Sequence, residues 1–241
     1  LVVRLTTKEI EITPAMTKVA QGISNTIVTV KNKNFILKID TLGRIGSKVL
    51  LKSIYNDKNN KHEELIPALG AKPLFIRFAD DKLNQEAIAT PYVASASEVQ
   101  LDDKPQTVVL TQSLPDLTIK KELTFYADGH YDVTVSLSKD KRHYIYLGQR
   151  PQVAKKLMAV VGDMVYTDDD IATIIKDGDS ETRQQFSNVA LISAFDQYSA
   201  TIMYGFSKDT LIVVDRDKDS NPVIYFDALQ TMKFHGYLGK K

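Results

Sequence analysis

At 241 residues, 43% of them hydrophobic and 25% charged, the chain is long enough for one large β domain or two small ones. Its 31 basic and 30 acidic residues give a net charge of +1, which excludes the basic excess or basic stripe of a nucleic-acid binder. The absence of cysteine excludes disulfides and thiolate metal sites, and no run approaches the roughly 18 uninterrupted apolar residues of a membrane span. The chain opens at Leu1 with no charged region leading into an apolar one, so it reads as a piece of something longer or a mature product.

Residues 1–24 lack a regular pattern and read as a linker or a loosely docked N-terminal segment; residues 25–241 read as the folded domain. "TIVTVKN" and "NFILKID" form an opening pair of strands, and the two glycines of "TLGRIGS" mark a bend or bulge between strands. "KPLFIRF" at 72–78 is a further strand, and "QTVVLTQSL" ends at Pro115-Asp116. In "LTIKKELTF" the residues Leu117, Ile119, Lys121, Leu123 and Phe125 share one face. "YDVTVSL" places Tyr131, Val133, Val135 and Leu137 on one face in the same way. A period of two over such lengths is a half-buried strand. Asp128-Gly129 joins the two as a tight hairpin, with "QTVVLTQSL" pairing alongside. "TDDDIATIIKDGD" predicts a helix: Asp168 to Asp170 supply the cap and first turn, Ile171, Ile174 and Ile175 one face, and Gly178 the stop. "TLIVVD" and "PVIYFDAL" close the chain as strands. The expected fold is all-β, a large antiparallel sandwich with one or two short helices.

Each chemical candidate has a plainer reading beside it. "DRDKDSN" at 215–221 opens like a calcium loop, but Ser220 and Phe226 stand where glycine and the bidentate acid are needed, so it reads as a hairpin turn. His62, His130, His143 and His235 are dispersed with no metal-ligand spacing, and His62 and His130 fall in polar surface stretches. Asp196-Gln197 interrupts two apolar alternating runs. It is either a polar kink between two strands or a bend in one strand facing a cleft, and structure is favoured over catalysis because no acid–base partner can be named. No residue is assigned a catalytic, cofactor-binding or metal-binding role, and no partner-contact residue singles itself out.

Four stretches, in order, resemble the large periplasmic domain of the family of bacterial membrane protein insertases known as YidC. They are "VTVKNKNFILKIDTLGRIGSKVLLKSIY", "LTIKKELTFYADGHYDVTVSL", "FDQYSATIMY" and the terminal "FHGYLGKK", and they span roughly residues 25–241. The chain departs from the family pattern at Leu42 (usually glycine), Ser199 (phenylalanine after Tyr198) and Lys240 (proline). The resemblance implies the supersandwich fold also found in galactose mutarotases, without catalytic residues. It also implies a periplasmic location in an inner-membrane protein, with one transmembrane helix before Leu1 and five after Lys241. The domain would be an accessory one that assists insertion and folding, contacting the Sec translocon's accessory subunits or nascent inner-membrane clients.

Two rival readings share the sandwich. A mutarotase-like carbohydrate-active or carbohydrate-binding domain needs a glutamate base and a histidine acid, yet Glu181 is the only glutamate after Glu122. A plain extracytoplasmic adhesion or scaffold module fits the composition equally, since fold alone does not fix function.

Overall fold

The computed structural model describes residues 25–51, 62–151, 161–179 and 183–240. Alternating apolar and polar side chains build three antiparallel sheets, with strands numbered along the chain. The first sheet runs β4 (Glu63–Glu64), β3 (Ile45–Leu50), β2 (Phe35–Asp40), β1 (Thr26–Lys31), β7 (Glu98–Gln100), the last pair being parallel. The second runs β13 (Ala172–Lys176), β12 (Gly162–Thr167), β15 (Val189–Phe195), β16 (Ser199–Tyr204), β19 (Met232–Lys240), β10 (His130–Leu137), β9 (Thr118–Phe125), β8 (Gln106–Ser113), β6 (Val93–Ala94). The third runs β14 (Gln184–Phe186), β17 (Ile212–Arg216), β18 (Pro222–Ala228), β11 (His143–Tyr146), β5 (Ile76–Phe78). An all-β sandwich is thus what the alternation predicts and what the chain forms.

The period-two reading holds in the central hairpin. Tyr131 pairs with Phe125 and Leu137 with Ile119, β8 lies along the other side of β9, and Ile119, Lys121, Leu123 and Phe125 are all buried. Leu137 is half-buried and packs on the core edge. The inner faces of all three sheets meet in one apolar cluster that includes Val28, Leu37, Val108, Val133, Ile192 and Phe226. Each such side chain removed from water contributes about 1.5–3 kcal/mol. A smaller cluster of Tyr144, Tyr146, Tyr225 and Val213 packs on the opposite face of the third sheet. The bend expected at 41–47 is a turn at 41–44, with the β2–β3 register slipping between Lys38 and Ile39.

The helix expected at 168–178 is corrected. Asp168 to Asp170 form the turn of a hairpin, Asp170 in the left-handed region (φ 63), and residues 172–176 are strand β13. Ile174 is exposed and Ile175 buried, the alternation of a strand, and the β-branched run Thr173-Ile174-Ile175 favours extended backbone. The helix present among the described residues is α1, Asp81–Ala89. The Asp80 carboxylate caps it by accepting from the amides of Lys82 (2.9 Å) and Leu83 (3.1 Å). Asn84 fastens it to β5, donating to the Phe78 carbonyl and accepting from the Phe78 amide. The N-terminal segment 1–24, and Glu181, lie outside the described residues.

Gly236 on β19 lies under the ring of Tyr131, where a Cβ would stand 2.1 Å from Cζ. Both residues are buried, so the ring cannot swing into solvent. Gly236→Ala is expected to cost about 3 kcal/mol by overpacking and to lower the melting temperature by roughly 6–12 °C. A thermal scan showing an unchanged midpoint would contradict this packing.

Candidate functional site

The polar pair Asp196-Gln197 forms the turn between β15 and β16, not a bend in one strand. Asp196 is fully buried. Its Oδ1 accepts from the amides of Tyr198 (2.8 Å) and Ser199 (2.7 Å), while its own amide donates to the Ser199 carbonyl (2.9 Å). An aspartate so placed shapes a reverse turn. Gln197 is exposed at the tip.

The 215–221 segment behaves similarly. It joins β17 to β18, and Asp217 Oδ1 accepts from the amides of Asp219 (2.8 Å) and Asn221 (2.9 Å). Asp217 Oδ2 takes the Asn221 side-chain amide (3.1 Å), and Ser220 adopts the left-handed conformation (φ 59). The loop's own amides thus occupy the carboxylate that a cation would need.

The four histidines fall in three separate environments. His62 is exposed. His143 is buried beside Phe78, its Nδ1 2.8 Å from the Lys141 carbonyl, and burial lowers its pKa. His130 and His235 lie on the solvent face of the nine-stranded sheet. His235 Nδ1 is 2.6 Å from Asp132 Oδ1, Tyr126 donates to Asp132 Oδ2 (2.6 Å), and the imidazole stacks on Tyr204 at 5.1 Å. His130 pairs with Asp128 (3.0 Å) and packs on Tyr237. Partial burial pulls the Asp132 carboxyl up, but the Tyr126 and His235 hydrogen bonds outweigh it and hold the group below its ordinary value.

The most unusual chemistry is inside, where alternation alone placed Lys121 on an apolar face. Lys121 is fully buried on β9. Its ammonium donates to the carbonyls of Gly43 (2.8 Å) and Leu74 (2.7 Å) and lies 4.8 Å from the centre of the Tyr92 ring. Gly43 belongs to the β2–β3 turn, in the left-handed region (φ 65), and Leu74 to the approach to β5. One side chain of the nine-stranded sheet therefore bonds to turns that flank strands of the other two. Beside it Asp40 and Arg44 form a buried ion pair (2.8 Å), and Asp40 Oδ1 also accepts from the amides of Leu42 and Arg44. Lys48, buried on β3, donates to the Leu238 carbonyl of β19 and lies 4.2 Å from the centre of the Phe35 ring. Lys72 donates to the Gly46 and Pro67 carbonyls. Lys121 and Lys48 went unassigned in the sequence because their partners are backbone carbonyls distant along the chain. The available signal was a lysine in phase with Leu117, Ile119, Leu123 and Phe125.

The arrangement is that of a large antiparallel β-sandwich domain whose interior charges fasten sheet to sheet. No family model matches the chain. The membrane protein insertase YidC of Campylobacter jejuni is 35% identical over 231 residues, covering 95% of this chain and 43% of that protein. The YidC of Wolinella succinogenes is 31% identical over 217 residues, covering 89% and 40%. That of Helicobacter pylori is 31% identical over 247 residues, covering 90% and 44%. The chain belongs to the YidC family of membrane protein insertases and spans less than half the length of these relatives. A heparan sulfate lyase, HepC from Pedobacter heparinus, aligns over 87% of this chain and 34% of its own at 10% identity and a TM-score of 0.39, too low to carry any argument.

Burial pushes Lys121 and Lys48 down from 10.5 to about 7, with Asp40 opposing the shift at Lys121 and Asp128 opposing it at Lys48. Between about 7 and 10.5 the unfolded chain therefore holds protons that the folded chain has released. The unfolded state binds more protons across that window, so stability rises with pH there. Denaturant midpoints measured from pH 7 to 9.5 are expected to increase, and Lys121→Met to remove up to ~1.4 kcal/mol per pH unit of the slope. A slope unchanged in the variant would show that Lys121 keeps an ordinary proton affinity in the fold.

Proposed function

We propose that this chain is a periplasmic accessory domain of a membrane protein insertase. Residues 25–241 are its sandwich domain, and residues 1–24 are a linker or a loosely docked N-terminal segment. It assists insertion and folding of inner-membrane proteins by contacting translocon accessory subunits or client segments, and it works tethered to membrane-spanning parts of the same polypeptide. The observation that carries this reading is the 35% identity to a membrane protein insertase across 95% of the chain. Among the described residues no helix is long and apolar enough to cross a membrane, which fits a segment held outside the bilayer.

The domain acts by binding, with no catalytic, cofactor or metal role for its residues. That part of the proposal is supported by where the polar groups are committed: Asp196 and Asp217 to their own turns, Lys121 and Lys48 to carbonyls of neighbouring sheets. A near-neutral chain has little long-range attraction for a partner. Tethering compensates by raising the effective concentration at the membrane.

Crosslinking the domain in its full-length, membrane-anchored parent is expected to capture translocon components, and crosslinking the free 241-residue chain to capture none. The free chain is also expected to leave the anomeric equilibration rate of free sugars unchanged. Sugar epimerisation by the chain, abolished by replacing one of its four histidines, would overturn the proposal in favour of a carbohydrate-active domain.

A further inference from the structure

The two edges of the nine-stranded sheet are finished differently. At one edge β6 is only two residues long, and Gln112 of β8 ties down the end of α1 through the Ala87 and Thr90 carbonyls. At the other edge β13 runs five residues in unbroken register with β12, and among the described residues no strand pairs with its far side.

The hydrogen-bond phase of β13 follows from its hairpin. The Thr167 amide donates to the Ile171 carbonyl (3.0 Å). Alternation from that bond turns the backbone of Thr173 and Ile175 toward β12, and the N–H and C=O groups of Ala172 and Ile174 and the N–H of Lys176 toward the open edge, the Lys176 carbonyl accepting from the Asp179 amide (3.1 Å). Those three residues are exposed, Ile174 at 51%, and Ile171 at the strand's start at 56%. Sheet proteins ordinarily blunt such an edge with proline, a bulge, an inward charge or charged side chains along the edge, lysine above all. β13 has no proline, bulge or inward charge, and its one charged residue, Lys176, stands at its far end and leaves Ala172 to Ile175 uncharged.

Charge along the edge is uneven. The turn before β13 carries Asp168, Asp169 and Asp170, all exposed, and no lysine or arginine occurs between residues 161 and 175. At the far end Lys176 adds a positive charge, and Asp177 is paired with Arg150 (2.6 Å).

We propose that the β13 edge captures an extended segment of a partner polypeptide as a tenth, antiparallel strand. The segment has apolar side chains at alternate positions and lysine or arginine after its C-terminal end. The backbone N–H and C=O groups of Ala172 and Ile174 and the N–H of Lys176 supply the hydrogen bonds, as in strand addition generally. Antiparallel polarity brings the segment's C-terminal end to the acidic turn, where basic residues meet Asp168, Asp169 and Asp170. Its apolar side chains then lie beside Ile174 and Met164, paired neighbours on the solvent face. The inference rests on reading the domain as a partner-binding one and supplies the contact surface.

The test is hydrogen exchange and titration of the 241-residue chain with an acetylated probe peptide, Thr-Val-Thr-Val-Thr-Lys-Lys. The amides of Ala172, Ile174 and Lys176 are expected to gain at least roughly tenfold protection. A peptide ending in two glutamates is expected to bind roughly tenfold more weakly, with the difference collapsing at high salt. Ile174→Pro removes one outward N–H and no β12 bond, and is expected to abolish capture. A probe methylated at alternate amide nitrogens, which leaves the protein unaltered, is expected to fail as well. Protection elsewhere, no binding, or equal binding of the methylated probe would overturn the proposal. So would dimerisation of the free chain that Ile174→Pro prevents, which would assign the edge to a second copy. Such failure would leave the crosslinking of the tethered domain untouched, so the two readings fail separately.

Discussion

A lysine amino group, charged or neutral, is tolerable in an apolar interior only where hydrogen bonds replace the water it has lost. Lys121 meets that condition with two carbonyls, and those carbonyls lie in turns that flank strands of the two other sheets. The lysine projects from a third. Its solvation therefore requires the β2–β3 turn, the approach to β5 and the middle of the nine-stranded sheet to hold fixed positions together. Hydrophobic burial drives the sheets together but specifies their offset only loosely, being non-directional. The Lys121 bonds, with those of Lys48 and Lys72, fix the offset.

That constraint shapes what the domain offers to a partner. The aspartates that look chemical in the sequence prove to form turns, and the buried lysines bridge the layers. The contacts proposed above therefore fall on the outside: the solvent face of the nine-stranded sheet and its β13 edge. A sandwich with an edge left unpaired among the described residues suits the partner-holding role proposed for it, and the chain's place in a family of membrane protein insertases agrees with that proposal.

The strands were readable where alternation was long and one face was buried, as in β9 and β10, and the Asp128-Gly129 hairpin followed from its turn residues. Reading failed where a pattern served two structures. Ile171, Ile174 and Ile175 after three aspartates suit a capped helix, and the same residues suit an edge strand after an acidic turn; pairing with β12 decided between them. Helix α1 escaped notice because it is nine residues long and buries only Leu83, leaving little periodicity to detect. Asp196 could be narrowed to two readings, and the choice needed the β15–β16 pairing. The phase of Lys121 was visible, but its partners lie 78 and 47 residues away in the chain. Interactions of that range leave no local trace in a single sequence.

The claim that Lys121 locks the three sheets is tested most directly by residue-resolved hydrogen exchange in Lys121→Met. Met keeps most of the volume and removes the donor. The account predicts faster exchange at the 40–44 turn and at Leu74 and Phe75, with the β12–β15 ladder unchanged. Exchange that is unaltered at those sites, or that rises evenly throughout the protein, would contradict it.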